Sequence, residues 1–345
     1  MGLTGPGMLS RRDFINGTIG AGVLLAAQGA RTAKAQMNTR KRTIVDAQVH
    51  LWKAESPDWP WVPGRQPQLP EPFTIEKLVP LMDEAGVDRV VVVPPSWPGD
   101  RNDYGLEAAQ RYPQRFAVMG RIPLEKPESA ARLPKWREQP GMLGIRLTFL
   151  GPQAAWLTDG TANWIWPAAE KAGLPIMFLA PGRSAAFAPI AERHPGLTMI
   201  IDHMNAGPAI KANNQLDDAI AQTVALAKYP NVSCKMSASP ALSSEPYPFR
   251  DVQPYLKRVF EAFGRERCYW GTDMTGSFAK ATYRQRVTHF IETLDFLSEE
   301  DKDWVMGRAI LARLLSGPEG RQVHSAGDKS GCSRRRGLTG RRQWK

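Results

Sequence analysis

Apolar runs of strand length return eight times along this chain, each followed by a stretch that lacks their pattern. The runs are "TIVDAQVHL" from Thr43, "DRVVVVPP" from Asp88, "RFAVMGRI" from Arg115, "GIRLTF" from Gly144, "LPIMFLA" from Leu174, "LTMIIDHM" from Leu197, "NVSCKMS" from Asn231 and "RCYWGTD" from Arg267. Most of the intervening segments have helical periodicity. In "FTIEKLVPLMDEAG", Leu78, Leu81, Met82 and Ala85 recur at helical spacing, with Thr74 placed as N-cap and Gly86 as the C-terminal stop. Similar patterns occupy "TANWIWPAAEKAG", "LDDAIAQTVALAKYP" and "YRQRVTHFIETLDFL". Eight strands alternating with helices predict an α/β fold, a (β/α)8 TIM barrel forming a single domain over residues 36–320. No G-x-G-x-x-G follows the first run, which removes the main argument for a dinucleotide fold.

The ends of the chain read differently. "SRRDFI", Ser10 to Ile15, resembles the twin-arginine export signature; a short, glycine-rich apolar stretch follows, then the small-x-small site "AKA" at Ala33 to Ala35. The apolar stretch is too short and glycine-rich to span a bilayer comfortably. Residues 1–35 are therefore expected to be a signal peptide that engages the twin-arginine export machinery, leaving a periplasmic protein with no membrane attachment. The basic, Gly/Ser-rich residues 321–345 are expected to be a disordered tail. These two ends hold +3 and +7 of the net charge of +11, which leaves +1 for residues 36–320. A nearly neutral body offers no footprint for a phosphate backbone, so no nucleic-acid partner is expected. Cys234, Cys268 and Cys332 form no C-x-x-C, and the first two, set in apolar runs, read as small buried side chains.

In a barrel of this kind, chemistry gathers at the C-terminal ends of the strands. Those ends carry Gln48 and His50, Arg146, Asp202 and His203, Lys235, and Asp273. His50, His203 and Asp273 at corresponding positions are best explained as one convergent site. Within "DAQVHLW", strand alternation places Asp46, Gln48 and His50 on one face. His194 and His289 fall in or beside helical segments and read as satisfied structural groups.

"DAQVHLW" with "PDWPWVPG", "GIRLTF", "IIDHMNAGP", "NVSCKMS" and "YWGTD", in that order, resembles the amidohydrolase family 2 branch of the amidohydrolase superfamily, in particular its sugar-lactone and 2-pyrone-4,6-dicarboxylate lactonases and 4-sulfomuconolactone hydrolase. The resemblance covers about residues 43–315 and implies a (β/α)8 barrel. It also implies hydrolysis, or in some relatives decarboxylation, of a small molecule at the barrel mouth.

The first strand departs from the family pattern. The usual His-x-His supplies two imidazoles to a divalent metal, whereas here Gln48 takes the first place, and amide oxygen is a weaker ligand than imidazole. With no lysine in "GIRLTF" to bridge two metals, two readings stand. One divalent metal, zinc, is held by His50, His203 and Asp273 with Gln48 or water, or there is no metal at all.

Lactone hydrolysis needs an activated water, a polarised carbonyl and stabilisation of the oxyanion. Asp273 is assigned as general base, and His50 and His203 polarise the carbonyl directly or through one metal. Arg146 is placed either on a substrate carboxylate or sulfonate or in a structural ion pair. Lys235 is an anion contact or a solvated strand-end charge. Trp59 and Trp61, in "DWPWVPGRQP", form apolar walls for a planar ring or simply pack a loop, with Trp52, Trp97 and Tyr104 as weaker candidates. The expected activity is hydrolysis of a carboxylated or sulfonated lactone. A metal-dependent decarboxylase of an aromatic or unsaturated acid and a non-catalytic periplasmic binding protein are the alternatives.

Overall fold

β-Branched and apolar side chains concentrate in short runs that polar loops interrupt, and each run becomes one strand of a single parallel sheet. The computed structural model describes residues 42–315; the expected export leader, the basic tail and Cys332 lie outside them. The strands are β1 (Val45–Val49), β2 (Arg89–Val92), β3 (Phe116–Gly120), β4 (Met142–Thr148), β5 (Ile176–Leu179), β6 (Met199–Ile201), β7 (Val232–Ser237) and β8 (Cys268–Gly271). They pair in chain order, every neighbour parallel, as expected for a (β/α)8 barrel. The principal outer helices are α1 (Ile75–Ala85), α2 (Asp103–Arg111), α3 (Ile165–Lys171), α4 (Ala188–Arg193), α5 (Leu216–Ala225), α6 (Gln253–Phe263) and α7 (Tyr283–Thr288). Between β3 and β4 the crossover is a 3-10 segment, Pro127–Glu138, interrupted by Pro134.

Local chemistry sets the element ends. Thr74 accepts from the Lys77 N–H at the start of α1, and Gly86 ends it in the left-handed region at φ 75°, its N–H turned back to Asp83 and Met82 carbonyls. Ile75, Leu78, Met82 and Ala85 form the buried stripe of that helix. Inside the barrel, Val45, Ala47, Val91, Val93, Met119, Met177, Ile200 and Tyr269 pack as one cluster, which Ala309, Ile310 and Leu314 join. The opposite faces of the strands pack against the helices in a larger cluster that includes Cys234 and Cys268. Burial pushes both thiols well up from their ordinary value, so they are inert packing groups, as their setting predicts.

One expectation of strand alternation fails. The register of β1 against β2 shifts between Asp46 and Val49. Asp46 consequently parts from Gln48 and His50 and closes the barrel instead. Its Oδ1 accepts from the Gln48 and Thr272 N–H groups at 3.0 and 2.8 Å, and its Oδ2 from the Thr272 and Tyr283 hydroxyls at 2.6 and 2.8 Å. Burial raises the Asp46 pKa against these four donors. The Asp273 N–H donates to the Gln48 carbonyl at 2.9 Å across the same seam. A Cβ at Gly271 would lie 3.2 Å from the Gln48 nitrogen, so a larger residue there would push the two strands apart by a few tenths of an ångström.

Candidate active site

Three of the expected residues converge at the strand ends. His50 Nε2 lies 3.2 Å from Asp273 Oδ1, and His203 Nε2 lies 3.5 Å from Asp273 Oδ2. The loops that carry them are unusual. His203, Met204 and Asn205 have φ of 51°, 56° and 48°, and Asp273 has φ of 46°, all in the left-handed region that non-glycine residues visit at a cost of about 1–2 kcal/mol each. The cost is offset by anchoring: Asn205 Oδ1 accepts from the Ala180 N–H, its amide donates to Ser184, and Thr223 donates to the Met204 carbonyl. β6 therefore ends at Ile201, and Asp202 and His203 belong to the turn beyond it rather than to the strand.

Hydrogen-bond accounting assigns the tautomers. The Val93 carbonyl can only accept, so His50 Nδ1, 2.6 Å away, carries a proton and donates to it, which turns Nε2 toward Asp273. His50 thus presents Nε2 to Asp273 and is anchored through Nδ1 on the Val93 carbonyl. His203 Nδ1 lies 2.7 Å from the Ser237 hydroxyl; with Ser237 donating there, the His203 Nε2–H faces Asp273. Ser237 is fully buried, so it orients His203 and is no nucleophile. Burial lowers the His203 pKa, with Asp273 and Asp202 opposing. Burial alone would raise the Asp273 carboxyl, but His203, His50 and Arg146 hold it well below the usual carboxylate range.

Beneath this trio lies a buried polar chain that reassigns two expected site residues. Lys235 is a mid-strand residue of β7, fully buried; its ammonium is 2.7 Å from Asp202 Oδ1 and donates to Gln48 Oε1 at 2.6 Å. It is neither a solvated charge nor a substrate contact. Because an ammonium can only donate, Gln48 must turn its oxygen to Lys235 and its amide nitrogen to His50 Nε2, 3.5 Å away. Gln48 is itself fully buried and positions His50 rather than touching a substrate. Arg146 donates through Nε to Asp202 Oδ2 at 3.0 Å and through Nη1 to Thr148 at 2.8 Å, so its fork is already engaged. Burial would raise Asp202, but Lys235 and Arg146 hold it below its usual value.

A cavity of about 670 Å3 opens over the trio, lined by His50, His203, Asp273 and Arg146 and walled by Trp97, Phe149, Pro181, Ile210 and Leu242. Trp59 and Trp61 are not in its wall. Trp59 donates to Asp103 and meets Tyr104 edge-on, which is loop packing. Trp97 lines the cavity and sits edge-on to His50, with Trp52 buried against it. Outside this site, His194 pairs with Glu170 at 2.8 Å, and burial takes His289 down to about 4, so both are structural as expected.

Residues 45–311 match the amidohydrolase family. The chain belongs to the amidohydrolase family. Among curated proteins, it is 30% identical to an L-fucono-1,5-lactonase of Burkholderia ambifaria over 66% of this chain and 79% of that one. It is 27% identical to the 4-sulfomuconolactone hydrolase of Hydrogenophaga intermedia over 66% and 73% of the two chains. A solved amidohydrolase from Burkholderia multivorans with bound zinc shares the fold, with a TM-score of 0.65 at 20% identity over 78% of this chain and 98% of that one.

Metal in such a neighbour raises the question for this family member's own residues. Its donor set does not fit a divalent ion. Among the described residues no three His, Cys, Asp or Glu side chains are arranged to hold one. Gln48 offers an amide nitrogen where a ligand oxygen would be needed, and the Lys235 ammonium stands directly behind it. One further residue of this amidohydrolase's cavity escapes sequence reasoning although a signal is present: Thr148 is the last residue of β4, with Arg121, directly after β3, behind it at 3.4 Å.

Proposed function

We propose that this amidohydrolase-family protein hydrolyses a lactone with a water activated by Asp273. The observation that carries the reading is an unpaired carboxylate oxygen at the cavity. Asp273 Oδ1 is buried with no hydrogen-bond partner among the described residues, and Asp273 lines the cavity. Such an acceptor suits a hydrogen of the attacking water. That water attacks the lactone carbonyl as Asp273 takes its proton. The His203 Nε2–H, with the charge of Arg146 behind it, stabilises the oxyanion. Collapse of the tetrahedral intermediate breaks the ring C–O bond, and the proton held by Asp273 passes to the departing ring oxygen, giving the open hydroxy acid. The names of the two curated relatives, a lactonase and a lactone hydrolase, support the same reaction class.

The test is a panel of five- and six-membered lactones assayed by proton release, with product analysis for the hydroxy acid and for carbon dioxide. Ring opening without carbon dioxide is expected; decarboxylation, or no turnover of any lactone, would overturn the reading. Because no step is routed through a metal, chelation followed by desalting is expected to leave kcat within twofold. A loss of activity that zinc restores would refute the roles assigned to Asp273, His50 and His203.

Acid pH provides a second check. The lowered pKa of His203 keeps the ring neutral at pH 7, and Asp273, also lowered, is ionised there. Protonation of either group on acidification removes a required form. kcat/KM is therefore expected to be flat from pH 7 to 8 and to fall only below about 6.5, the ordinary histidine value. An acid limb centred above 7 would contradict the assignment. The twin-arginine-like leader supports a periplasmic site of action, to be checked by fractionating cells that express the full chain.

A further inference from the structure

Two consecutive loops wall the cavity with apolar side chains alone once the chain has passed His203. The loop after β6 lines it with Ala206, Ala209 and Ile210, and the loop after β7 with Ala238, Ala241 and Leu242. Residues 206–210 hold no polar side chain, and Ser239, in the second stretch, does not line the cavity. Backbone acceptors are spent locally as well: the Gly207 carbonyl takes the Lys211 N–H at 3.1 Å, and the Ala238 carbonyl takes the Ala241 N–H at 2.9 Å.

The polar residues of these loops are tied together elsewhere. Lys211 donates to Asp251 Oδ2 at 2.8 Å, the Ser244 N–H donates to the same oxygen at 2.8 Å, and the Ser243 hydroxyl donates to Asp251 Oδ1. None of these four residues lines the cavity. Asp251 thus clamps the two loops through their polar groups and leaves their apolar side chains to form a fixed wall.

The wall is placed to meet a substrate. β7 and β8 are neighbours, so the wall begins one strand away from Asp273. Phe149, Leu179 and Pro181 continue it on the β4 and β5 side, where the fork of Arg146 is taken by Asp202 and Thr148. A hydroxyl or carboxylate pressed against such a surface loses its water and gains no partner. A hydrocarbon gains, by about fourfold in affinity for each methylene buried. A cavity of about 670 Å3 takes a drug-sized molecule, so a bare lactone ring fills only part of it.

We infer that the lactone opened here carries an apolar substituent, a short alkyl chain seated on Ile210, Ala241 and Leu242, in place of the acid group expected from the sequence. This inference deepens the lactonase reading and rests on it for the chemistry at Asp273, but the wall itself is a matter of binding.

Binding is accordingly measured apart from turnover. 2-Methyltetrahydropyran and 2-propyltetrahydropyran, tetrahydropyran-2-carboxylate and the polyhydroxylated ether 1,5-anhydroglucitol, none of which can be hydrolysed, are titrated calorimetrically into the full chain. The propyl ether is expected to bind at least tenfold more tightly than the methyl ether, from two further methylenes at about fourfold each. The acid and the polyol should each bind at least tenfold more weakly than the propyl ether. Ile210→Asn, which sets an amide in a half-buried part of the wall, should reduce the propyl-to-methyl ratio to below threefold, and Ile210→Leu should retain it. Ala241→Leu, which fills the place of the chain, should reduce the same ratio and serves if the asparagine variant does not fold.

Equal affinity for the methyl and propyl ethers, an acid or polyol that binds as tightly as the propyl ether, or a chain-length preference untouched by Ile210→Asn and Ala241→Leu would overturn the apolar subsite. An intact chain-length preference in a protein that opens no lactone would instead overturn the lactonase reading and leave the subsite standing.

Discussion

Asp273→Asn is expected to lower kcat for lactone opening by roughly 10^2 to 10^4-fold, the range that a positioned general base contributes. KM should move little. The substitution is unusually clean because Asp273 occupies the left-handed region at φ 46°, where asparagine is among the few residues equally at home. Loss of activity with an unchanged unfolding midpoint therefore reports lost proton transfer and not a damaged turn. His50 keeps its N–H on the Val93 carbonyl in the variant, so its orientation is retained and it cannot replace the missing charge. Parent-level turnover by the asparagine protein would remove Asp273 from the reaction.

A second large effect is expected in stability. Lys235→Met leaves Asp202 buried with Arg146 as its remaining salt-bridge partner among the described residues and takes the donor from Gln48 Oε1. Breaking a buried pair by removing one member costs about 3–5 kcal/mol, whereas an exposed lysine would cost less than about 0.5 kcal/mol. Guanidinium unfolding followed by tryptophan fluorescence separates the two outcomes. A midpoint within error of the parent's would show that the ammonium does not sit against Asp202. The same variant frees the Gln48 amide to turn over and present its oxygen to His50, so a fall in kcat should accompany the fall in stability.

Strand count and alternation were legible because period-two apolar runs and capped helices are local patterns, as Thr74 and Gly86 at the ends of α1 show. The convergence of His50, His203 and Asp273 followed from the rule that barrel strands point their C-terminal ends at one mouth. What depended on a shift of a single residue was not legible. Lys235 lies inside β7 rather than at its end, which turns a candidate anion contact into a buried ion pair. The register shift in β1 sends Asp46 to the seam while Gln48 stays with the buried chain, and nothing in the run "VDAQV" marks it. Trp59 and Trp61 depended on the path of a loop, which composition does not determine. Arg121 and Thr148 obeyed the strand-end rule as well as Arg146 did.

The seam between β1 and β8 also sets an order of events for the growing chain. The hydroxyls that Asp46 accepts from lie 226 and 237 residues further along, on Thr272 and Tyr283. The first strand of the described barrel thus carries a carboxylate that stays hydrated until the β8 segment and the helix after it are made, and loop-closure entropy opposes so distant a contact. β1 can pair early with β2, a near neighbour in sequence, while the barrel remains an open sheet. His50 and Asp273 flank that opening from its two sides, so the bond that finishes the barrel also brings these two side chains within 3.2 Å. During refolding, enzymatic activity should therefore return with the final closure of the ring and with no earlier, partly paired sheet.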